Sequence, residues 1–136
     1  MTYVSPPLKL DIPDGARIGR ADIHFEGVEQ AGPSFEARVF LNNPDADQQT
    51  PPDPTRGYAG AFHVYGYGEP HMHPGDASEP LSAPMHRYVT ATEAIKLARQ
   101  TGATMRVTVV PMLPPAVLER KGDPLKISRV YLTVDA

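Results

Sequence analysis

Residues 69–76 read EPHMHPGD, two histidines one residue apart inside a proline-bounded stretch. In an extended backbone alternate side chains share a side, so His71 and His73 could hold one metal ion between them. His63 and His86 flank the same segment, which makes them the remaining candidate ligands. Met72 and Met85 stand beside these histidines and would add thioether donors suited to copper(I). The chain has no cysteine, which excludes disulfides, zinc–thiolate and iron–sulfur centres and thiol catalysis. Copper is therefore the metal this set would select. The plainer reading leads, however: surface loops tolerate histidine, and Met72 points away from its neighbours into apolar packing.

The other chemistry-bearing residues divide in the same way. His63 lies among Ala61, Tyr65 and Tyr67, a setting that favours a hydrogen-bonded, partly buried histidine over a ligand. His24 alternates with Asp22 and Glu26 and reads as a solvated strand residue. Tyr58, Tyr65 and Tyr67, with Met72, form a candidate surface for a partner or a phenolic ligand, although cross-strand packing is the commoner use of such residues. Asp45, Asp47 and Asp53 suit turns better than calcium, because no EF-hand spacing is present. No GxSxG or phosphate-binding loop occurs, and GYGEPH fails the dinucleotide pattern at its sixth position. No catalytic residue is assigned.

The elements that position these residues are mostly strands. Sixteen prolines and eleven glycines in 136 residues punctuate the chain too often for long helices. ARIGRADIHFEGVE alternates, with Ile23 and Phe25 to one side and Asp22, His24 and Glu26 to the other. SFEARVFLN alternates through Phe35, Ala37, Val39 and Leu41. In YAGAFHVYGYG, strict alternation puts Tyr58, Gly60, Phe62 and Val64 on one face, with His63, Tyr65 and Tyr67 on the other. ATMRVTVVP and LKISRVYLTV supply two more strands, and Val130, Leu132 and Val134 share a face in the second. Residues 42–57 and 69–85 are proline-rich loops.

A single short helix is expected around residues 91–101, where Ala94, Ile95 and Ala98 form an apolar stripe and Gly102 a stop. Thr90 and Glu93 have capping-box spacing, so Thr90 is the expected N-cap. The fold class is all-β, an antiparallel β-sandwich or small barrel with that one helix. Residues 1–16 are expected to form an extended arm and residues 17–136 one sandwich domain. A formal charge of −3 gives no reason to expect nucleic acid or anionic membrane as partner. The start lacks a signal-peptide pattern and no stretch of eighteen apolar residues occurs, so a cytoplasmic location is the default expectation.

IHFEGVE, SFEARVFLNNPDA, YAGAFHVYGYG, VTATEAIKLA and MRVTVVP together resemble the β-rich domain that follows the di-copper domain in bacterial tyrosinase-like (polyphenol oxidase) proteins. That domain is a counterpart of the C-terminal β-domain of molluscan haemocyanins. The segments keep the family's order over roughly residues 17–134, and RVFLNNPDA and YAGAFHVYGYG are the most specific. The family's oxidases hold each copper with three histidines, mostly on helices. This chain has five histidines in all and no HxxxH pair. The resemblance thus implies a non-catalytic accessory or interaction domain, one that assists or shields a separate copper oxidase. Two alternatives stand beside it: a small copper carrier or metal-dependent enzyme using the His63–His86 cluster, and a structural, self-associating domain.

Overall fold

The computed structural model describes residues 2–13, 15–29, 33–65, 84–114, 116–117 and 125–136. In chain order the strands are β1 (Tyr3–Val4), β2 (Leu8–Lys9), β3 (Arg20–Val28), β4 (Phe35–Leu41) and β5 (Tyr58–Val64). They are followed by β6 (Met85–Thr90), the helix α1 (Thr92–Arg99), β7 (Thr104–Met105), β8 (Val107–Met112) and β9 (Arg129–Asp135). All described pairings are antiparallel, and they build a four-stranded sheet β1-β8-β4-β5 and a three-stranded sheet β6-β3-β9. β2 and β7 form a separate short ribbon. The all-β reading is correct, and the short helix expected near residues 91–101 is α1; among the described residues, 116 and 117 are also helical. No helix among the described residues is long and apolar enough to cross a membrane.

The two sheets enclose one main core. Ala21, Ile23 and Phe25 of β3 enter it from one side, and Ala37, Val39, Phe62, Val107 and Val109 from the other. These are the apolar positions of the alternating runs, so the period of two translates directly into two buried faces. Pro111 lies inside β8, where its missing N–H would ordinarily break a ladder. It is tolerated because, among the described residues, β1 pairs only with Thr108 and Val109, and beyond them the Gln48 side chain donates to the Pro111 carbonyl at 2.9 Å in place of a strand.

The N-terminal arm is held to this framework. Ser5 is buried; its hydroxyl accepts the Val107 N–H at 2.9 Å and donates to the Pro6 carbonyl at 2.8 Å. Farther along, the Arg99 guanidinium donates to the carbonyls of Ala16 and Pro13. Strands of two residues, as in β1 and β2, carry no readable periodicity, so only tertiary pairing reveals them.

A second, smaller cluster lies on the outer side of the four-stranded sheet, where Phe40, Ala46 and Val110 are buried with Tyr58 and Met112 against them. The pairing register shifts between Val39–Gly60 and Phe40–Tyr58, a β-bulge that absorbs Ala59. Strict alternation had placed Tyr58 with Phe62 and Val64. The bulge instead turns it outward onto Phe40, on the face that carries His63 and Tyr65. Gly60 permits this: its φ is +136°, and a Cβ there would lie 2.5 Å from a Val89 methyl group. The loop over this cluster is organised by its aspartates. Asp47 accepts the Gln49 N–H at 2.8 Å, and Asp53 accepts the Thr55 N–H at 2.9 Å to start a 3-10 turn at Pro54–Arg56.

Helix α1 has the expected stripe, with Ile95 fully buried and Ala94 and Ala98 against the core. Its start corrects the capping-box expectation. Thr90 is paired opposite Asp22 as the last residue of β6, and Ala91 occupies the N-cap without a side-chain bond. Strand pairing holds Thr90 extended one residue too early to cap. Ala91 N–H donates to the Ala21 carbonyl at 2.9 Å, while the Ala21 N–H donates to the Thr92 hydroxyl at 3.1 Å. The helix is therefore fastened to β3 rather than capped locally. Thr92→Ala is expected to cost about 1 kcal/mol by leaving a part-buried N–H without its acceptor, whereas exposed Thr90→Ala should stay within about 0.5 kcal/mol. Denaturant midpoints of the two variants check this; equal losses would contradict it.

Candidate functional site

Of the residues singled out from the sequence, His71, His73, Tyr67 and Met72 lie outside the described residues. His63 is exposed on β5, its ring roughly parallel to that of Tyr65 at 6.1 Å, and its carbonyl accepts from Arg87 at 3.2 Å. It is not partly buried as its setting suggested, because among the described residues β5 pairs with β4 alone, which leaves its outward side chains one neighbouring strand. Tyr65 is 66% exposed, while Tyr58 is half-buried edge-on to Phe40 at 5.6 Å. His86 is exposed on β6 and finds its ring partner in His24, which alternation alone marks as an ordinary solvated strand residue.

That pairing builds the densest polar cluster of the described residues. β3 is the central strand of its sheet, so outward-facing His24 has β6 on one side and β9 on the other, opposite Tyr88 and Tyr131. Its Nδ1 lies 3.0 Å from His86 Nε2, and its Nε2 lies 2.7 Å from the Thr133 hydroxyl. The two imidazoles are parallel within 1° with centroids 5.1 Å apart. At that nitrogen separation they meet edge to edge, nearly in one plane. Tyr131 lies over His24 at 4.7 Å and 3°, and Arg129 lies over the outer face of Tyr131 at 4.6 Å. Tyr88 is tilted against His24 at 5.9 Å.

The charges around this face are mixed. Asp22 and Glu26 flank His24 on β3; Asp22 pairs with Arg20 at 3.1 Å and Glu26 with Arg129 at 3.9 Å. Burial holds the His24 imidazole below its ordinary range, and the neighbouring His86 charge adds to this. Asp22 and Glu26 act in the opposite sense, and Arg20 in the same sense as His86. A proton on one ring nitrogen can serve the His24–His86 contact, whereas protonating both rings sets two N–H groups against each other. Among the described residues no three His, Asp or Glu side chains converge to hold a metal ion.

A second concave feature lies between the start of β5, the 3-10 turn and α1, a groove of about 1060 Å³. Leu41, Pro54, Tyr58, Ala94 and Leu97 supply apolar walls, and the charged lining is mixed, with Arg56 beside a Lys96–Glu93 ion pair at 3.5 Å. Leu97 is 51% exposed there and lines the groove beside Ala94 and Ala98.

No protein-family model and no curated protein sequence matches this chain. Solved structures do. Latent aurone synthase (polyphenol oxidase) from natural source is similar over 98% of this chain and 24% of its own, with 16% identity and a TM-score of 0.62. The recombinantly expressed latent aurone synthase (polyphenol oxidase) gives the same coverage, with 17% identity and a TM-score of 0.59. This chain thus spans about a quarter of the length of those proteins. At such identities the likeness concerns the fold. Its extent is that of one domain, consistent with the C-terminal domain of a polyphenol oxidase.

The His24 environment yields a pH prediction. A histidine held below its unfolded pKa takes up its proton less readily when folded, so the unfolded chain gains the proton first as pH falls. Stability should therefore be lost as pH drops below about 6.5, the unperturbed imidazole value. His24→Gln removes this term and should flatten the decline. Denaturant midpoints at pH 7.5 and 5.5, measured in chelator-containing buffer, compare the two slopes; identical slopes would contradict the assignment.

Proposed function

We propose that the chain is an accessory domain that docks on, and shields, a separate copper oxidase of the polyphenol oxidase type. The observation that carries this reading is the extent of the fold likeness: nearly all of this chain corresponds to a quarter of an oxidase chain. That oxidase is a latent form, which suits a role in restraint. The groove beside α1 offers a docking surface, with exposed Leu97 at its wall and Arg56 and Lys96 to fix orientation. Apolar burial of this kind supplies affinity, and the flanking charges select among partners. With five histidines, the chain cannot itself furnish two three-histidine copper sites.

The test mixes the purified chain with a copper-loaded tyrosinase-like oxidase encoded beside it and follows diphenol oxidation. Turnover should fall saturably as the chain is added, and Leu97→Asp should weaken the effect about tenfold, or ~1.4 kcal/mol. The copper-loaded chain alone should not oxidise monophenols or diphenols. Diphenol turnover by the chain alone, abolished by chelation, would overturn the reading. So would an oxidase rate that does not respond to the chain.

A further inference from the structure

We propose that the outer face of β6-β3-β9 is a binding site for a first-row divalent transition-metal ion, with His24 Nδ1 and His86 Nε2 as its ligands. This does not rest on the accessory-domain reading.

The nitrogen spacing carries the inference. Two metal–nitrogen bonds of about 2.0–2.1 Å, at an angle between roughly 90° and 110°, separate their nitrogens by about 2.9–3.4 Å. The observed separation is 3.0 Å. The two rings come from residues 62 positions apart; His24 is paired on both sides, and His86 lies at the register shift between the paired residues Arg87 and Met85. Little conformational entropy of His24 therefore remains to be lost on chelation. His86 is exposed, so a change of its side-chain torsions can move its lone pair off the line between the two nitrogens and onto an ion shared with His24.

The surroundings of His24 have the form that metal-binding histidines use. The far nitrogen, Nε2, meets the Thr133 hydroxyl at 2.7 Å. When Nε2–H donates to that oxygen, Nδ1 is left as a lone pair directed towards His86. Such an outer partner fixes both tautomer and ring direction. Tyr131 stacked on the ring and Tyr88 tilted against it restrict rotation further. In the metal-free pair, a proton on His86 Nε2 bridges the two nitrogens. On binding, the ion takes that place and the His86 proton moves to Nδ1 through solvent, so the neutral pair releases no net proton. Asp22 and Glu26 on β3 favour a cation, while Arg20 and Arg129 are held in ion pairs with them. Water completes the coordination shell. For two imidazoles and water, the Irving–Williams order makes copper(II) the tightest divalent ion.

The test uses the full untagged chain carrying His71→Ala and His73→Ala, so that those histidines contribute nothing. Copper(II) ion alone is titrated calorimetrically at pH 7.5, and the bound species is read by nitrogen hyperfine coupling in electron paramagnetic resonance. One ion should bind with two nitrogen ligands, and His86→Gln should abolish that signal. Thr133→Val should weaken binding about tenfold, as loss of an outer partner does. Circular dichroism establishes that each variant is folded, and exposed His86 should be replaceable without unfolding. Unchanged affinity in His86→Gln would overturn the site. Loss of all binding in the His71/His73 background would also overturn it.

Discussion

Ala21, Ile23 and Phe25 of β3 have no solvent exposure, and the Phe25 ring lies 4.6 Å from that of Phe62 in the opposing sheet. Burying side chains of the isoleucine and phenylalanine kind stabilises by about 1.5–3 kcal/mol each. A hydrogen bond on the outer face contributes only about 1 kcal/mol net. The inner face therefore decides the register of β3, and the outer face follows from it. Since side chains alternate strictly, a slip of one residue would bury Asp22, His24 and Glu26 and expose the apolar set. The position of His24 between β6 and β9 is a consequence of where Ile23 and Phe25 must go. The same strand anchors α1 through Ala21, so the helix and its groove inherit their placement from it.

This explains which parts of the molecule were legible in sequence. Ile23/Phe25, Phe35/Ala37/Val39 and Val130/Leu132/Val134 repeat with period two, and each set does face the core. The helix stripe was equally plain. The bulge at Ala59 was signalled only by Gly60, since a glycine inside a strand points to a bulge or a close approach without fixing which residue is inserted. Thr90 shows a different failure: its spacing to Glu93 matched a capping box, but pairing with Asp22 overrode the local preference.

The His24–His86 contact was illegible for a topological reason. Alternation correctly placed His24 on the outer side of its strand, and MHRYVT alternates well enough to place His86 outward too. Nothing local states that β6 and β3 are neighbours, and contiguity in sequence instead drew attention to His71 and His73. The signal that could have found the pair is compositional: histidine, tyrosine and threonine recur at outward positions of three separate runs, where solvated strands more often carry lysine and glutamate. Such residues are suited to packing against one another across a sheet.

The two surfaces with functional potential depend on the same core and share one strand, since Thr90 at the end of β6 lines the groove and His86 of the same strand lies in the imidazole cluster. The groove is built on β5, the 3-10 turn and α1; the imidazole cluster lies on β6, β3 and β9. Tyr58, Leu97 and Lys96 of the first have no part in the second, and His24, His86 and Tyr131 have none in the groove. A substitution at Leu97 should leave the ring geometry undisturbed, and one at exposed His86 should leave the groove intact, since independent sites separated by a packed core act nearly additively. Docking and ion binding can accordingly be altered one at a time. Coupling between them has two direct routes, β6 itself, which runs from His86 to Thr90 at the groove, and the junction of β3 with Thr92.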